Sequence, residues 1–278
     1  MTSTSEKRAR FHALHQSGCF VLPNPWDAGT ARLFQHLGFA ALASTSSGFA
    51  WSRGQADYAP SRDQTLAHLA DLCAATDLPV NADYQSGFAT RPEDVAANVS
   101  LAARTGVAGL SIEDTDLDGP NLDGPGLYDL PLAVERVRAA KVAAAADGVL
   151  LVARTEILLH DNSQVTAAID RLAAFAEAGA DCLYAPGVVA PADIAAMVRA
   201  LAPRPVNVLM MAPGLSVAEL AGLGVRRISV GGALARVMWK AVWDAAVQMR
   251  AGSFAGLAGA ASGRELNGLF AGFPRPER

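Results

Sequence analysis

Residues 79–88 read PVNADYQSGF. The stretch enters on apolar residues, halts at the carboxylate of Asp83, and leaves through small and polar residues to Gly87 and Phe88. A lone aspartate after an apolar run is either a turn or capping residue or a ligand, and the choice depends on whether the pattern recurs. Short apolar runs that end in a polar loop and precede a helical pattern occur at CFVLP (19–23), FAALAST (39–45), LPVNAD (78–83) and GLSIED (109–114). They occur again at VLLVART (149–155), CLYAP (182–186), PVNVLMM (205–211) and RISVGG (227–232). Helices are expected between them at 61–76, 92–105, 130–146, 164–178, 191–201 and 216–223, several announced by start signatures at Ser61, Arg91-Pro92 and Ala190-Pro191. Near-continuous apolar strands belong to parallel sheets covered on both faces. Eight such units predict an α/β fold, a (β/α)8 barrel of the TIM type, ahead of a doubly wound sheet. The Gly-rich dinucleotide fingerprint is missing after the first strand.

Length and composition agree with this. A chain of 278 residues, 51% of them hydrophobic, buries a large core and is not a disordered segment. No low-complexity linker divides it, so residues 1–232 are expected to form one barrel core with an N-terminal helix, and 233–278 C-terminal helices of the same domain. The formal net charge of −4, with both signs scattered, excludes a basic stripe for nucleic acid or anionic lipid. Cys19, Cys73 and Cys182 are an odd number in apolar contexts, as suits buried thiols in a reducing compartment. The N-terminal MTSTSEKRARFHALH lacks a signal-peptide run, and no uncharged apolar stretch of about 18 residues exists, so a cytoplasmic protein without a membrane partner is expected.

In such a barrel the site lies where strands end. The windows there hold Asn24 and Asp27, Ser44 to Ser47, Asn81 and Asp83, Glu113 and Asp114, Arg154 and Glu156, Pro186 and Gly187, Asn207, and Gly231 and Gly232. The first five are polar, a ring of carboxylates, hydroxyls and one arginine. Asp83, Glu113 and Asp57 are hard oxygen donors without a His/Cys cluster at metal spacing, which matches Mg2+ or Mn2+ held mostly through water. Arg154 at the end of an apolar strand requires a partner: Glu156 or Glu113 in a structural pair, or a substrate carboxylate or enolate oxygen. The residues alone leave these open. The run from Ser44 to Gly48 offers hydroxyls and N–H groups to an anionic oxygen, and reads equally as an ordinary loop.

Four stretches in register, STSSGFAWSRGQAD (44–57), PVNADYQSGF (79–88), GLSIED (109–114) and ARTE (153–156), together resemble the isocitrate lyase/phosphoenolpyruvate mutase superfamily over residues 20 to 240. The resemblance implies a modified (β/α)8 barrel that uses Mg2+ to grip a 2-oxo acid and stabilise its enolate, with a C-terminal helix often exchanged within dimers or tetramers. It implies Asp83 as a metal ligand, Asp57 reaching the metal through water, and Glu113 ordering metal-bound waters. Arg154 would bind a substrate carboxylate or enolate oxygen. Thr45 and Ser46, with backbone N–H groups of Ser47 or Gly48, would hold the 2-oxo-acid carboxylate. Tyr84, Gln85 and Asn207 are expected to line the pocket, Trp26 and Trp51 to wall it, and Glu156 and His160 to meet the distal end of the substrate, although a surface loop suits His160 better.

Departures from the superfamily pattern narrow the chemistry. Many members carry a second aspartate two residues before the metal-binding one; here that residue is Asn81, which implies a less negative metal site. The lid after Glu113 reads DTDLDGPNLDGPGLYDL (114–130), without the Lys-Lys-Cys-Gly-His motif of isocitrate and methylisocitrate lyases. Pro186 stands where the phosphonate-forming mutases have a histidine, and an acidic lid repels a phosphonate dianion. The segment after 233, with Val237, Trp239, Val242, Ala245 and Met249 at helical spacing, reads as the barrel's eighth helix. The tail at 254–270 then requires another surface, met by exchange between subunits of a homo-oligomer. The expected activity is a Mg2+-dependent carbon–carbon lyase acting on a 2-oxo or 2-hydroxy di- or tricarboxylic acid. The alternatives are a hydrolase or decarboxylase of oxaloacetate-like acids, a phosphonopyruvate/phosphoenolpyruvate mutase-type enzyme, and a non-catalytic 2-oxo-acid binder.

Overall fold

The computed structural model describes residues 2–117 and 126–273. Its strands are β1 (Phe20–Leu22), β2 (Leu42–Ala43), β3 (Val80–Asp83), β4 (Gly109–Glu113), β5 (Thr115–Asp116), β6 (Gly126–Leu127), β7 (Leu150–Arg154), β8 (Cys182–Tyr184), β9 (Val206–Leu209) and β10 (Arg227–Ser229). Eight of them form one sheet in the order β1-β10-β9-β8-β7-β4-β3-β2, every ladder parallel. All eight lie inside the apolar runs read from the sequence. β5 and β6 pair separately as an antiparallel ribbon at the foot of the lid, whose residues 118–125 lie outside the described residues.

The seam between β1 and β2 is closed by side chain as much as by backbone. Ala43 N–H donates to the Pro23 carbonyl at 3.2 Å. Asn24 Nδ2 donates to the Ser44 carbonyl at 2.9 Å, while Asn24 Oδ1 accepts from the N–H groups of Val230 and Gly231, each at 2.9 Å. Asn24 thus stitches three strand ends together. It is a structural residue of the rim.

The helices are α1 (Thr4–Leu14), α2 (Ala28–His36), α3 (Ser46–Ser52), α4 (Arg62–Ala75), α5 (Pro92–Arg104), α6 (Leu130–Ala146), α7 (Ile157–His160), α8 (Val165–Glu177), α9 (Pro191–Leu201), α10 (Val217–Gly222), α11 (Ala233–Arg250) and α12 (Gly263–Ala271). Ser61 caps α4 in a reciprocal box with Gln64, and Pro92 and Pro191 open α5 and α9, where a missing N–H costs nothing. Strand alternation sorts the core. On β7, Leu150 and Val152 join the barrel-interior cluster, which Phe11 of α1 joins with Phe20, while Leu151 and Ala153 belong to the layer between sheet and helices. Each fully buried leucine there contributes roughly 2–3 kcal/mol.

Two expectations change. The Ser44–Gly48 run is not a plain loop but the entry to α3, because the Thr45 hydroxyl caps it by accepting from Gly48 N–H at 3.2 Å. Helix α11 does not pack as the barrel's eighth helix: Ala235 is its one buried residue among those described, and Val237, Trp239, Val242, Trp243, Val247 and Met249 are all exposed. Its 18 residues span about 27 Å at 1.5 Å per residue, too apolar a rod for water. Helix α12 returns to the barrel against α2, with Phe273 lying 5.3 Å from the Arg32 guanidinium. No described helix is long and apolar enough to cross a membrane.

Candidate active site

At the C-terminal rim, β3, β4 and β7 deliver their last residues to one point, because their registers place Asp83 beside Ser111 and Glu113 beside Arg154. Asp83 is held from both sides: its N–H donates to Ser44 Oγ at 2.8 Å, and its Oδ2 accepts from Ser46 N–H at 2.9 Å. The loop that carries the chain away is bent by left-handed residues at Gln85 (φ 49°), Gly87 (φ 76°) and Phe88 (φ 55°). Such strain persists only when neighbours enforce it. Arg136 does so by donating to the carbonyls of Ser86, Ala89 and Thr90, and Asn98 Nδ2 by donating to those of Gly87 and Phe88. The turn at Gly87 and Phe88 that carries the chain off the rim is therefore braced.

Arg154 organises the charges. Its Nε and Nη2 engage both oxygens of Glu156, the second contact at 2.7 Å, and its Nη1 stands 3.4 Å from Glu113 Oε2 and 3.6 Å from Asp83 Oδ1. Its guanidinium lies 5.2 Å from the Tyr184 ring centre. Burial opposes the charge of Arg154, but Glu156 and Glu113 override it and hold the group above the ordinary arginine value. Burial pushes Glu113 up to about 7 against the pull of Arg154, with Glu156 and Asp83 adding repulsion. Burial raises Glu156 as well. The bidentate contact makes Glu156 the carboxylate that stays charged, and leaves Glu113 as the one that titrates.

Asp57 and Tyr58 approach from the loop after α3. Asp57 lies at the exposed rim, yet lost hydration and then the nearby charge of Asp83 raise its carboxyl above the usual aspartate range, while Tyr58 N–H donates to its Oδ1 at 3.0 Å. Tyr58 was not legible as a site residue. Its hydroxyl donates to Glu113 Oε1 at 2.7 Å, and its backbone adopts φ 64°, a left-handed conformation that a bulky residue avoids. Burial and then Glu113 hold the phenol protonated far above neutrality. Thr115 Oγ1 adds a second bond to the same carboxylate oxygen at 2.9 Å. An aromatic residue next to a candidate acidic ligand was the one available sequence signal.

The remaining candidates are placed as follows. Thr45, Ser46, Ser47 and Gly48 form the first turn of α3. Ser46 N–H is committed to Asp83 and Gly48 N–H to Thr45, which leaves Ser47 N–H without an acceptor among the described residues. Gly48 is required by packing, since a Cβ there would stand 2.6 Å from Thr45 Cγ2 and 3.2 Å from Trp26 Cβ. Tyr84 does not line the pocket: strand alternation turns it away from Asp83 into the helix layer, where its hydroxyl bonds the Asn98 carbonyl at 3.1 Å. Asp114 pairs with Arg171 at 2.8 Å and anchors the lid foot rather than joining the ring. Trp26 is buried against Gly48, Trp51 lines a groove beside α11, and His160 is exposed at the end of α7. Asn207 is fully buried, one layer below the rim, with bonds to Arg227 and Ser229.

The donor set can be tested against a metal ion. Asp57, Asp83, Glu113 and Glu156 face one rim arginine; Asp57 and Glu113 are raised first by burial and then by neighbouring carboxylates, whose charge a divalent cation would offset. Among the described residues, no three His, Cys, Asp or Glu side chains already form a metal cage. A direct carboxylate with further carboxylates acting through water is the arrangement Mg2+ accepts, because it keeps several of its waters. The oxygen donors fit that ion.

Comparison with known proteins gives consistent matches. A family model described as phosphoenolpyruvate phosphomutase matches residues 11–250. A crystal structure from Burkholderia cenocepacia J2315, described only as a lyase/mutase, is 46% identical with a TM-score of 0.91, covering 99% of this chain and 98% of that one. Oxaloacetate decarboxylase of Paraburkholderia xenovorans is 28% identical over 257 residues, 90% of this chain and 84% of that protein. The structure of oxaloacetate acetylhydrolase with the inhibitor 3,3-difluorooxalacetate superposes with a TM-score of 0.84 at 26% identity, covering 97% of this chain and 94% of that one.

Proposed function

Since the chain belongs to the phosphoenolpyruvate phosphomutase family, within the isocitrate lyase/phosphoenolpyruvate mutase superfamily, we propose that it is a Mg2+- or Mn2+-dependent carbon–carbon lyase acting on a 2-oxo or 2-hydroxy di- or tricarboxylic acid. The observation that carries this is the placement of Arg154: gripped by Glu156, it keeps Nη1 turned toward Asp83 and Glu113 at the barrel mouth.

Asp83 would hold the cation directly, and Asp57 and Glu113 through water. When bound, the cation would supply Lewis-acid polarisation of the 2-oxo and adjacent carboxylate oxygens. Arg154 receives the negative charge that develops on the 2-oxo oxygen as the carbon–carbon bond breaks; its geometry is set in advance by Glu156, so little reorganisation accompanies the step. The first turn of α3, from Thr45 to Gly48, takes the carboxylate beside the 2-oxo group, with Ser47 N–H as the uncommitted donor. Asn207 supports the pocket from beneath through Ser229.

Oxaloacetate decarboxylation is a second reading within the same bond-breaking class, favoured by the near full-length match to a relative of that name. A phosphonate mutase is disfavoured by Pro186 and by the acidic lid sequence. The test is turnover of a panel of 2-oxo and 2-hydroxy acids with and without Mg2+, beside Asp83→Ala. Mg2+-dependent cleavage abolished in the variant is expected. Metal-independent turnover would refute the mechanism, and binding without turnover would identify a 2-oxo-acid binder.

Assembly belongs to the same reading. The exposed apolar face of α11 borders a groove of about 1050 Å³ lined by Trp51, Met211, Val237 and Trp243. Exchange of this helix with a second copy, in a dimer or dimer of dimers, would cover both. A strictly monomeric particle in light scattering would exclude it.

A further inference from the structure

Arg227 projects from β10 into the barrel and is 3% exposed. Among the described residues no carboxylate is its partner: Nε donates to Asn207 Oδ1 at 3.0 Å, Nη1 donates to Asn81 Oδ1 at 3.3 Å, and the Phe11 ring lies 5.9 Å away. A buried guanidinium needs acceptors for its donors whether or not it has a counter-charge, and two neutral amides each accept from one of its N–H groups here. Asn81 shares the inward face of β3 with Asp83 but stands two residues earlier, about 6.6 Å deeper. Its oxygen is turned to Arg227, and its Nδ2 donates to the Ala82 carbonyl at 3.0 Å. On the other side, Asn207 Oδ1 is committed to Arg227, which directs Asn207 Nδ2 to Ser229 Oγ at 3.0 Å. Asn207 stands beside Tyr184 in the β8–β9 register, and the Tyr184 ring carries Arg154.

We propose that Arg227 is a positioning residue, the buried cation on which Asn81 and Asn207 converge, and that it fixes the platform of Asn207, Ser229 and Tyr184 beneath Arg154. In this arrangement Asn81 is a partner of Arg227; it is not a weakened ligand of the cation site. Only the last clause rests on the lyase reading.

A double-mutant cycle tests the pairing in metal-free protein. Asn81→Asp in the native background leaves Tm unchanged or raises it, because the new carboxylate meets Arg227. The same change in an Arg227→Met background lowers Tm by roughly 6 °C or more, because a buried carboxylate is then unpaired. Equal shifts in both backgrounds overturn the pairing. Should Arg227→Met fail to fold, Arg227→Gln replaces it in the cycle. The platform is read from the Nε–Hε NMR resonance of Arg154, identified by its loss in Arg154→Lys. It moves in the Arg227 variant and in Ser229→Ala, and a resonance unmoved in both overturns the positioning role. Calorimetric Mg2+ affinity of Asn81→Asp stays within about threefold of native, whereas a tenfold gain would make Asn81 a cation-site residue. A native protein that binds no Mg2+ would fail the lyase reading, while the cycle and the resonance still decide this one.

Discussion

Glu113→Gln is expected to stabilise the metal-free protein at alkaline pH. Glu113 accepts from Tyr58 at 2.7 Å and from Thr115 at 2.9 Å, and both bonds end on the one oxygen that a glutamine retains. Its carboxyl is pushed up to about 7 from the ordinary 4.5, so burial outweighs the attraction of Arg154. That difference corresponds to about 3 kcal/mol spent on ionising the group in the folded chain. Because the folded value lies above the unfolded one, the folded state binds more protons between 4.5 and about 7, and stability falls as pH rises through that window. Below it both states are protonated and the group has no effect. At pH ~8.5 the full cost is present and glutamine removes it, less the contact of Oε2 with Arg154 Nη1, which an amide N–H donor cannot replace, for a net gain of about 1–3 kcal/mol. In thermal unfolding with chelator present this is a rise of roughly 2–12 °C, at 2–4 °C per kcal/mol for a chain of this size. At pH ~3.5, below both values, the two proteins unfold together. A glutamine variant less stable than native at pH ~8.5, or a difference that does not shrink on acidification, would refute the assignment of Glu113 as the titrating member of the cluster.

Three further outcomes follow from the same geometry. Arg154→Lys keeps the charge but loses the fork that Glu156 grips, and steady-state kinetics on the identified substrate should show kcat/KM reduced about 10²–10³-fold. Tyr58→Phe removes a bond to a carboxylate worth roughly 1.5–3 kcal/mol, and a loss of about 10–100-fold in kcat/KM with weaker Mg2+ binding by calorimetry is expected. Trp243→Asp places a charge on the exposed apolar face of α11, and light scattering should report a smaller particle than native.

What was readable from sequence and what was not divides along physical lines. The eight apolar runs, their polar ends, and with them Asp83, Glu113 and Arg154 were legible because strand patterning is local and a parallel barrel sends its strand ends to one rim. The start of α3 was missed because Ser and Gly runs favour loops unless a cap such as Thr45 is engaged. Tyr84 and Asn81 were read as rim residues, but alternation turns the first outward and depth places the second beside Arg227. Tyr58 reaches Glu113 across 55 positions through a left-handed backbone that no periodicity announces. Arg227 reaches Asn81 across 146. The apolar stripe of α11 was plain in the sequence, whereas its departure from the barrel was not, because periodicity states that a face must be covered and only tertiary packing decides by what. The amino-acid sequence by itself determined the barrel and the acidic ring at its mouth, since both follow from short-range patterning. Tertiary structure decided which carboxylate pairs with Arg154, which one titrates, and which polar residues stand beneath them, because those choices depend on distances and burial between strands far apart in the chain.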